Sequence, residues 1–125
     1  MSDAIVLAGH GSRSAEANDA VVVLARSLAS QLGIPVYPGF LEMSSPAIPD
    51  AFRAAHAAGA TRIVLLPYFL LPGMHVRRDL TELADAGRAE LGIPIEIAGF
   101  LGTHAEIPRL LGDLSREALA SSRVS

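Results

Sequence analysis

Hydrophobic and polar positions alternate between two patterns along the chain. Residues 4–8, 35–41, 61–67 and 94–100 are short runs rich in Val, Ile and Leu and bounded by Gly or Pro, as expected of strands buried on both faces. Between the first two runs, Ala17, Ala20, Val21, Leu24, Leu28 and Leu32 recur at steps of three and four. That spacing predicts an amphipathic helix, which Gly33 can end in the left-handed conformation. Ser45-Pro46 reads as an N-cap with proline at the first helical position, followed by the stripe Ile48, Ala51, Phe52 and Ala55 and closed by Gly59. Val76, Leu80, Leu83, Ala84 and Leu91 predict a third helix before Gly92, and Ile107, Leu110, Leu111, Leu114 and Ala118 a fourth. Thr103 and Glu106 have capping-box spacing, although Pro108 then falls beyond the first turn, where its missing N–H costs a helical hydrogen bond.

Strands alternating with crossover helices imply parallel pairing and right-handed connections, hence a three-layer α/β/α sandwich on a four-stranded parallel sheet. Ligands of such sheets bind beyond the carboxyl ends of the strands, which places the loops 9–14, 42–46, 68–76 and 101–105 on one rim. LGIPVYPGFL at 32–41 and LGIPIEIAGFL at 91–101 echo each other, so the chain reads as two similar halves. In that register AIVLAGHG matches RIVLLPYFLLPGMH, and each half delivers one histidine, His10 or His75, to a shared cleft.

The length of 125 residues suits one domain over 1–125. A net charge of −3, with no lysine among ten basic residues, gives no field for nucleic acid. The absence of cysteine removes disulfides, iron–sulfur clusters and thiol chemistry and suits a reducing compartment. MSDAIVLAGHGS has no basic leader, and IVLLPYFLLPGM is broken by proline and shorter than the ~20 residues that span a bilayer. The expectation is a cytoplasmic, soluble protein without membrane partners.

The glycines of AGHGSR at 8–13 let the chain turn off the first strand and present His10. Gly73-Met74-His75 repeats the device, and Glu42 ends the second strand on the same rim. Two imidazoles and a carboxylate are a ligand set for a divalent first-row metal, and imidazole as a class accepts protons near neutral pH. Each residue also has an ordinary reading. A single histidine after a strand is commonly a loop residue, and Glu42 suits the positive end of the next helix. His56 reads as structural and His104 as a rim residue. Arg13, Arg77 and Arg78 can pair with acidic groups of a ligand or stand as solvated charges. Ser12, Ser44 and Ser45 can offer hydroxyls to carboxylates or serve as turn residues. Leu70, Leu71, Pro72 and Met74 make an apolar loop that suits a flat hydrophobic ligand or a subunit contact.

Together LAGHGSR at 7–13, FLEMSSPAIPDA at 40–51, the glycine and strand at 59–67 and PYFLLPGMHVRRDL at 67–80 resemble the small class II tetrapyrrole chelatases, the CbiX/SirB-like sirohydrochlorin chelatases. The resemblance covers nearly the whole chain and implies a chelatase-like fold. It further implies that His10 and His75 bind the incoming metal, that Glu42 assists and that His10 accepts a proton. By the same resemblance the tetrapyrrole lies against Ser12, Arg13, Ser45, Leu70, Leu71, Pro72, Gly73 and Met74. Ser45 stands where some relatives carry a charged residue, and Thr81 where the family motif has proline. The implied substrates are sirohydrochlorin and a divalent metal, Co²⁺ first and Fe²⁺ or Ni²⁺ next, with no permanent cofactor and a homodimeric assembly. The implied class is a metal-inserting lyase of cobalamin or siroheme biosynthesis. No phosphate-binding G-x-x-x-x-G-K pattern is present. Two other readings stay open at this point. A noncatalytic tetrapyrrole or metal carrier would keep the same pocket. A histidine-phosphatase-like phosphoryl transfer also uses a His-Gly pair after a first strand, although Gly9 stands before His10 where that motif has arginine.

Overall fold

A computed structural model describes residues 2–122. Strand β1 (Asp3–Gly9) leads to helix α1 (Ala15–Leu32), then β2 (Val36–Phe40), α2 (Ile48–Ala57), β3 (Arg62–Pro67), α3 (Met74–Leu91), β4 (Ile95–Ile97), a short 3₁₀ turn at Leu101–Thr103, and α4 (Ile107–Ser122). The four strands pair in parallel in the order β2-β1-β3-β4. Pro38 lies in β2, an edge strand, where its missing N–H costs no ladder bond on the solvent side.

Alternation along the strands sorts the core into two layers. Ala4, Val6 and Ala8 of β1 and Ile63 and Leu65 of β3 pack with Ile48, Phe52, Leu80 and Ala84, so α2 and α3 cover one face. Leu7 packs with Val21, Ala25, Leu24 and Leu28, so α1 covers the other. This is the expected α/β/α arrangement, with unequal layers within one chain. No residue of α4 belongs to either core cluster, and Leu110, Leu111 and Leu114 are exposed.

The sequence echo has a structural counterpart. Gly33 and Gly92 both adopt the left-handed conformation, at φ 67° and 68°, and each amide N–H closes its helix on the carbonyl four residues back, Ala29 or Arg88, at 2.9 Å. Their strands β2 and β4 form the two edges, and β1 and β3 lie side by side at the centre. The halves differ in that α1 and α3 lie on opposite faces, because right-handed crossovers leaving the centre in opposite directions must do so.

Several boundaries depart from expectation. Ser45-Pro46 is a cis peptide in the β2–α2 loop and not the helix start; α2 begins at Ile48 behind Ala47, with Pro49 in its first turn. Pro46 serves instead as an acceptor, its carbonyl bonding the Phe40 N–H at 2.9 Å. Helix α3 begins at Met74, so Met74 and His75 form its first turn and lie outside the loop. Strand β4 spans three residues, against the seven of the run 94–100. The Thr103/Glu106 capping box does not form. The Thr103 hydroxyl donates to the Phe100 carbonyl, and His104 Nδ1 accepts the Glu106 N–H. Pro108 falls in the first turn of α4, where no intrahelical donor is required.

Candidate metal centre at the strand ends

Strand order reverses between β1 and β3, whose chains depart toward opposite edges, and this is where a doubly wound sheet opens a crevice. His10 follows β1 immediately. The β1–β2 pairing continues past the strands, with Leu41 N–H on the Gly9 carbonyl at 3.0 Å and Glu42 N–H on the His10 carbonyl at 3.1 Å. This extension holds the two side chains together: His10 Nε2 lies 3.0 Å from Glu42 Oε1. Gly11 is required for the approach. Its φ is +95°, and a Cβ there would lie 1.6 Å from the Glu42 carbonyl oxygen.

A carboxylate only accepts hydrogen bonds, so His10 Nε2 carries a proton in this contact, and whenever the ring is neutral the lone pair falls on Nδ1. Glu42 therefore orients the imidazole, the role a carboxylate plays behind a metal-binding histidine. Phe69 meets the ring edge-on at a centroid distance of 6.2 Å. Both His10 and Glu42 are about half exposed, 54% of each side chain. They open onto a cavity of about 450 Å³ whose far wall is α3, through Val76, Asp79, Glu82 and Leu83. Three carboxylates thus border the cavity and favour a cation there.

His75 sits in the first turn of α3, the helix that walls this cavity, but its ring faces Arg78, whose Nη2 lies 2.6 Å from Nδ1. A guanidinium has no acceptor, so Nδ1 of His75 accepts and the ring is neutral in this arrangement. His10 and Glu42 are brought together, and His75 is not brought to them. Among the described residues no group of three His, Cys, Asp or Glu side chains stands close enough to hold one ion.

The remaining expected residues divide by what already holds them. Leu70, Leu71 and Met74 are exposed by 65%, 67% and 88%, an apolar platform in the segment between Phe69, which meets His10, and Val76, which lines the cavity, with Pro72 half-buried and Gly73 exposed. Ser12 is engaged within its loop: its N–H bonds Asn18 Oδ1, its carbonyl accepts from Asn18 Nδ2, and its hydroxyl oxygen accepts the Ser14 N–H. Arg13 and Ser45 are exposed on the rim. Arg77 braces the platform, donating to the Pro72 carbonyl at 3.2 Å and stacking 4.5 Å from the Phe100 ring centroid. His56 lies exposed in the last turn of α2, away from the rim. The contributions of Phe69, Asn18 and Glu82 were missed. For Glu82 the signal was present in the sequence, since Val76, Asp79, Glu82, Leu83 and Ala86 share one face of a helix.

Residues 4–118 match the CbiX family model. The chain belongs to the CbiX family. Over 121 residues it is 33% identical to the chloroplastic sirohydrochlorin ferrochelatase of Arabidopsis thaliana, covering 95% of this chain and 54% of that protein. It is 39% identical over 82 residues to the sirohydrochlorin cobaltochelatase of Methanocaldococcus jannaschii, covering 65% of this chain and 57% of that one. The chain thus spans about half the length of these curated relatives. Among solved structures, the sirohydrochlorin chelatase SirB of Bacillus subtilis subspecies spizizenii in complex with cobalt superposes with a TM-score of 0.84. It is 27% identical, and the match covers 94% of this chain and 51% of that one. These matches establish the class II chelatase fold for the CbiX-family chain. No described helix is long and apolar enough to cross a membrane.

Proposed function

We propose that this CbiX-family chain inserts a divalent metal into sirohydrochlorin, with Co²⁺ the preferred substrate ion and Fe²⁺ or Ni²⁺ the alternatives. The observation that carries the reading is the His10–Glu42 pair, held by β1 and β2 beside an exposed apolar platform at the reversal point of a parallel sheet. Relatives that act on sirohydrochlorin with cobalt or iron support it.

Insertion requires a hydrated ion to lose water and two pyrrole N–H protons to leave the macrocycle. His10 serves both needs through Nδ1, which binds the ion reversibly and afterwards accepts one of the two protons, while the other passes to the His75 imidazole once it too has released the ion. Glu42 keeps the ring in the tautomer that exposes Nδ1 and offsets the imidazolium charge once the proton has arrived. The macrocycle lies on Leu70, Leu71 and Met74, with Pro72 and Gly73 completing the platform. Ser12, Ser45 and Arg13 on the facing loops approach its peripheral carboxylates. His75 joins the ion when Arg78 leaves Nδ1 for one of those carboxylates, so substrate arrival completes the ligand set. The reading includes a single domain over 1–125, a cytoplasmic location and pairing of two chains, each with one such site.

Anaerobic incubation of sub-stoichiometric protein with sirohydrochlorin and Co²⁺, Fe²⁺ or Ni²⁺, followed by absorbance, tests it. Many turnovers per chain are expected, fastest with Co²⁺. Spectral change that stops at one equivalent identifies a carrier and overturns the enzymatic reading.

A further inference from the structure

His75 and Arg78 stand one turn apart on α3, at the i and i+3 positions whose side chains meet on a helix surface. Their contact fixes the state of the imidazole. Arg78 Nη2 donates to His75 Nδ1 at 2.6 Å, so the ring's own hydrogen lies on Nε2 and neither nitrogen keeps a free lone pair. His10 differs, because Glu42 engages its Nε2 and leaves Nδ1 open. Of these two histidines, only His10 is ready to receive an ion.

Ligation of His75 and its contact with Arg78 exclude each other, whichever nitrogen takes the ion. An ion on Nδ1 displaces the guanidinium directly. An ion on Nε2 moves the ring hydrogen to Nδ1, where it faces a group made wholly of donors. Arg78 is also the guanidinium most easily drawn away. Arg53, Arg62, Arg88, Arg109 and Arg116 each hold a carboxylate, and Arg77 is engaged with Pro72 and Phe100, whereas Arg78 forms no ion pair among the described residues. It is exposed, and with His75 and Met74 of the platform it lines a cavity of about 240 Å³. A carboxylate arriving there accepts two parallel bonds from it, against the single bond that the neutral ring accepts.

We infer that Arg78 is an interlock: it withholds His75 from the ion until a carboxylate of the tetrapyrrole draws it away, so that macrocycle and metal bind with positive coupling. This rests on the function proposed above and specifies how its metal site is regulated. The free chain offers the ion the imidazole of His10, and the chain carrying the macrocycle offers His75 as well. The coupling is reciprocal, since whatever factor the carboxylate adds to metal affinity the metal adds to tetrapyrrole affinity. The ion is thereby held firmly only where a ring stands ready to receive it.

Calorimetric titration of Co²⁺ into the full chain without sirohydrochlorin tests the interlock, in a double-variant cycle of His75→Ala and Arg78→Met with each protein checked for wild-type circular dichroism. His75→Ala is expected to bind Co²⁺ as the wild type does, because the ring is withheld in one and missing in the other. Arg78→Met is expected to bind Co²⁺ about fivefold more tightly or better, the lower end of coupling between linked sites, and the double variant to lose that gain. A gain that survives in the double variant comes from removing a positive charge and overturns the interlock. Equal affinities in wild type and Arg78→Met, or weaker binding by His75→Ala alone, overturn it too. Metal-free sirohydrochlorin, titrated by absorbance, is expected to bind Arg78→Met about fivefold more weakly than wild type, for loss of the carboxylate's partner. Unchanged affinity overturns the release step. Neither titration needs turnover, so a wild type that fails to insert metal overturns the proposed function while both still read the interlock. Arg78→Ala replaces Arg78→Met should that variant fail to fold.

Discussion

His10 and Glu42 are tied twice, side chain to side chain at 3.0 Å and Glu42 N–H to His10 carbonyl at 3.1 Å. The backbone tie survives any substitution at position 42 except proline, so the side-chain tie can be tested alone. Glu42→Ala is expected to slow metal insertion by about 10–100-fold, the range for removing a carboxylate behind a ligating histidine, with a thermal midpoint near that of wild type. Glu42→Gln retains an acceptor for Nε2 and should fall between the two. Equal rates in all three proteins would show that Glu42 has no part in the chemistry.

Gly11 and Gly59 separate backbone strain from collision. Both have positive φ, +95° and +107°, but a Cβ at Gly11 strikes the Glu42 carbonyl whereas one at Gly59 meets nothing within 4 Å. Gly59→Ala should cost about 1–2 kcal/mol, the left-handed penalty alone. Gly11→Ala should cost more, about 3 kcal/mol or above, because the loop carrying Glu42 must also move. Urea denaturation of both variants measures the difference, and equal losses would refute the contact.

Leu71 is two-thirds exposed and contributes to neither core cluster. Leu71→Asp should leave the thermal midpoint unchanged within a degree or two while raising KM for the tetrapyrrole about tenfold or more, the factor equivalent to one lost apolar contact of 1.4 kcal/mol. A lower midpoint with unchanged KM would assign the residue to folding.

Arg53 links α2 to α3 by two bonds to Glu90, at 2.7 and 2.8 Å, and one to Asp50 at 2.9 Å. The Arg53 hydrogen bond holds the Glu90 carboxyl below its ordinary pKa. A depressed carboxylate stabilises the fold above its unfolded pKa, about 4.3, and loses that contribution as pH falls through the folded value. The stability gap between wild type and Arg53→Met should therefore be widest near neutrality and narrow below about pH 4. Denaturant titrations at several pH values check it, and a gap that does not change with pH would exclude the mechanism.

Periodicity revealed elements whose burial it controls. In α1, Val21, Leu24 and Leu28 pack as the period implies, whereas Ala17, Ala20 and Leu32 at its ends are exposed and Ala25, outside the stripe, is buried; the closing glycines 33 and 92 were legible because the left-handed turn selects them. Ser45-Pro46 misled because a serine–proline pair has the same composition whether it opens a helix or occupies a turn. His75 falls in the predicted loop because the apolar stripe begins only at Val76, whereas the helix itself starts two residues earlier, with Gly73 as the N-cap of α3. The His10–Glu42 contact was legible only as two residues on one rim, since the extension of pairing beyond β1 and β2 is not written locally. Helix α4 was legible as an amphipathic segment, but a stripe does not state which chain it covers.

The central claim is that His10, oriented by Glu42, takes the metal and then the proton through Nδ1. The most direct measurement is the initial rate of Co²⁺ insertion into sirohydrochlorin by His10→Ala beside wild type, at saturating metal and in protein of matched circular dichroism. A fall of about 100-fold or more is predicted, the usual contribution of a positioned acid–base group. A His10→Ala protein that inserts cobalt at the wild-type rate would contradict the account.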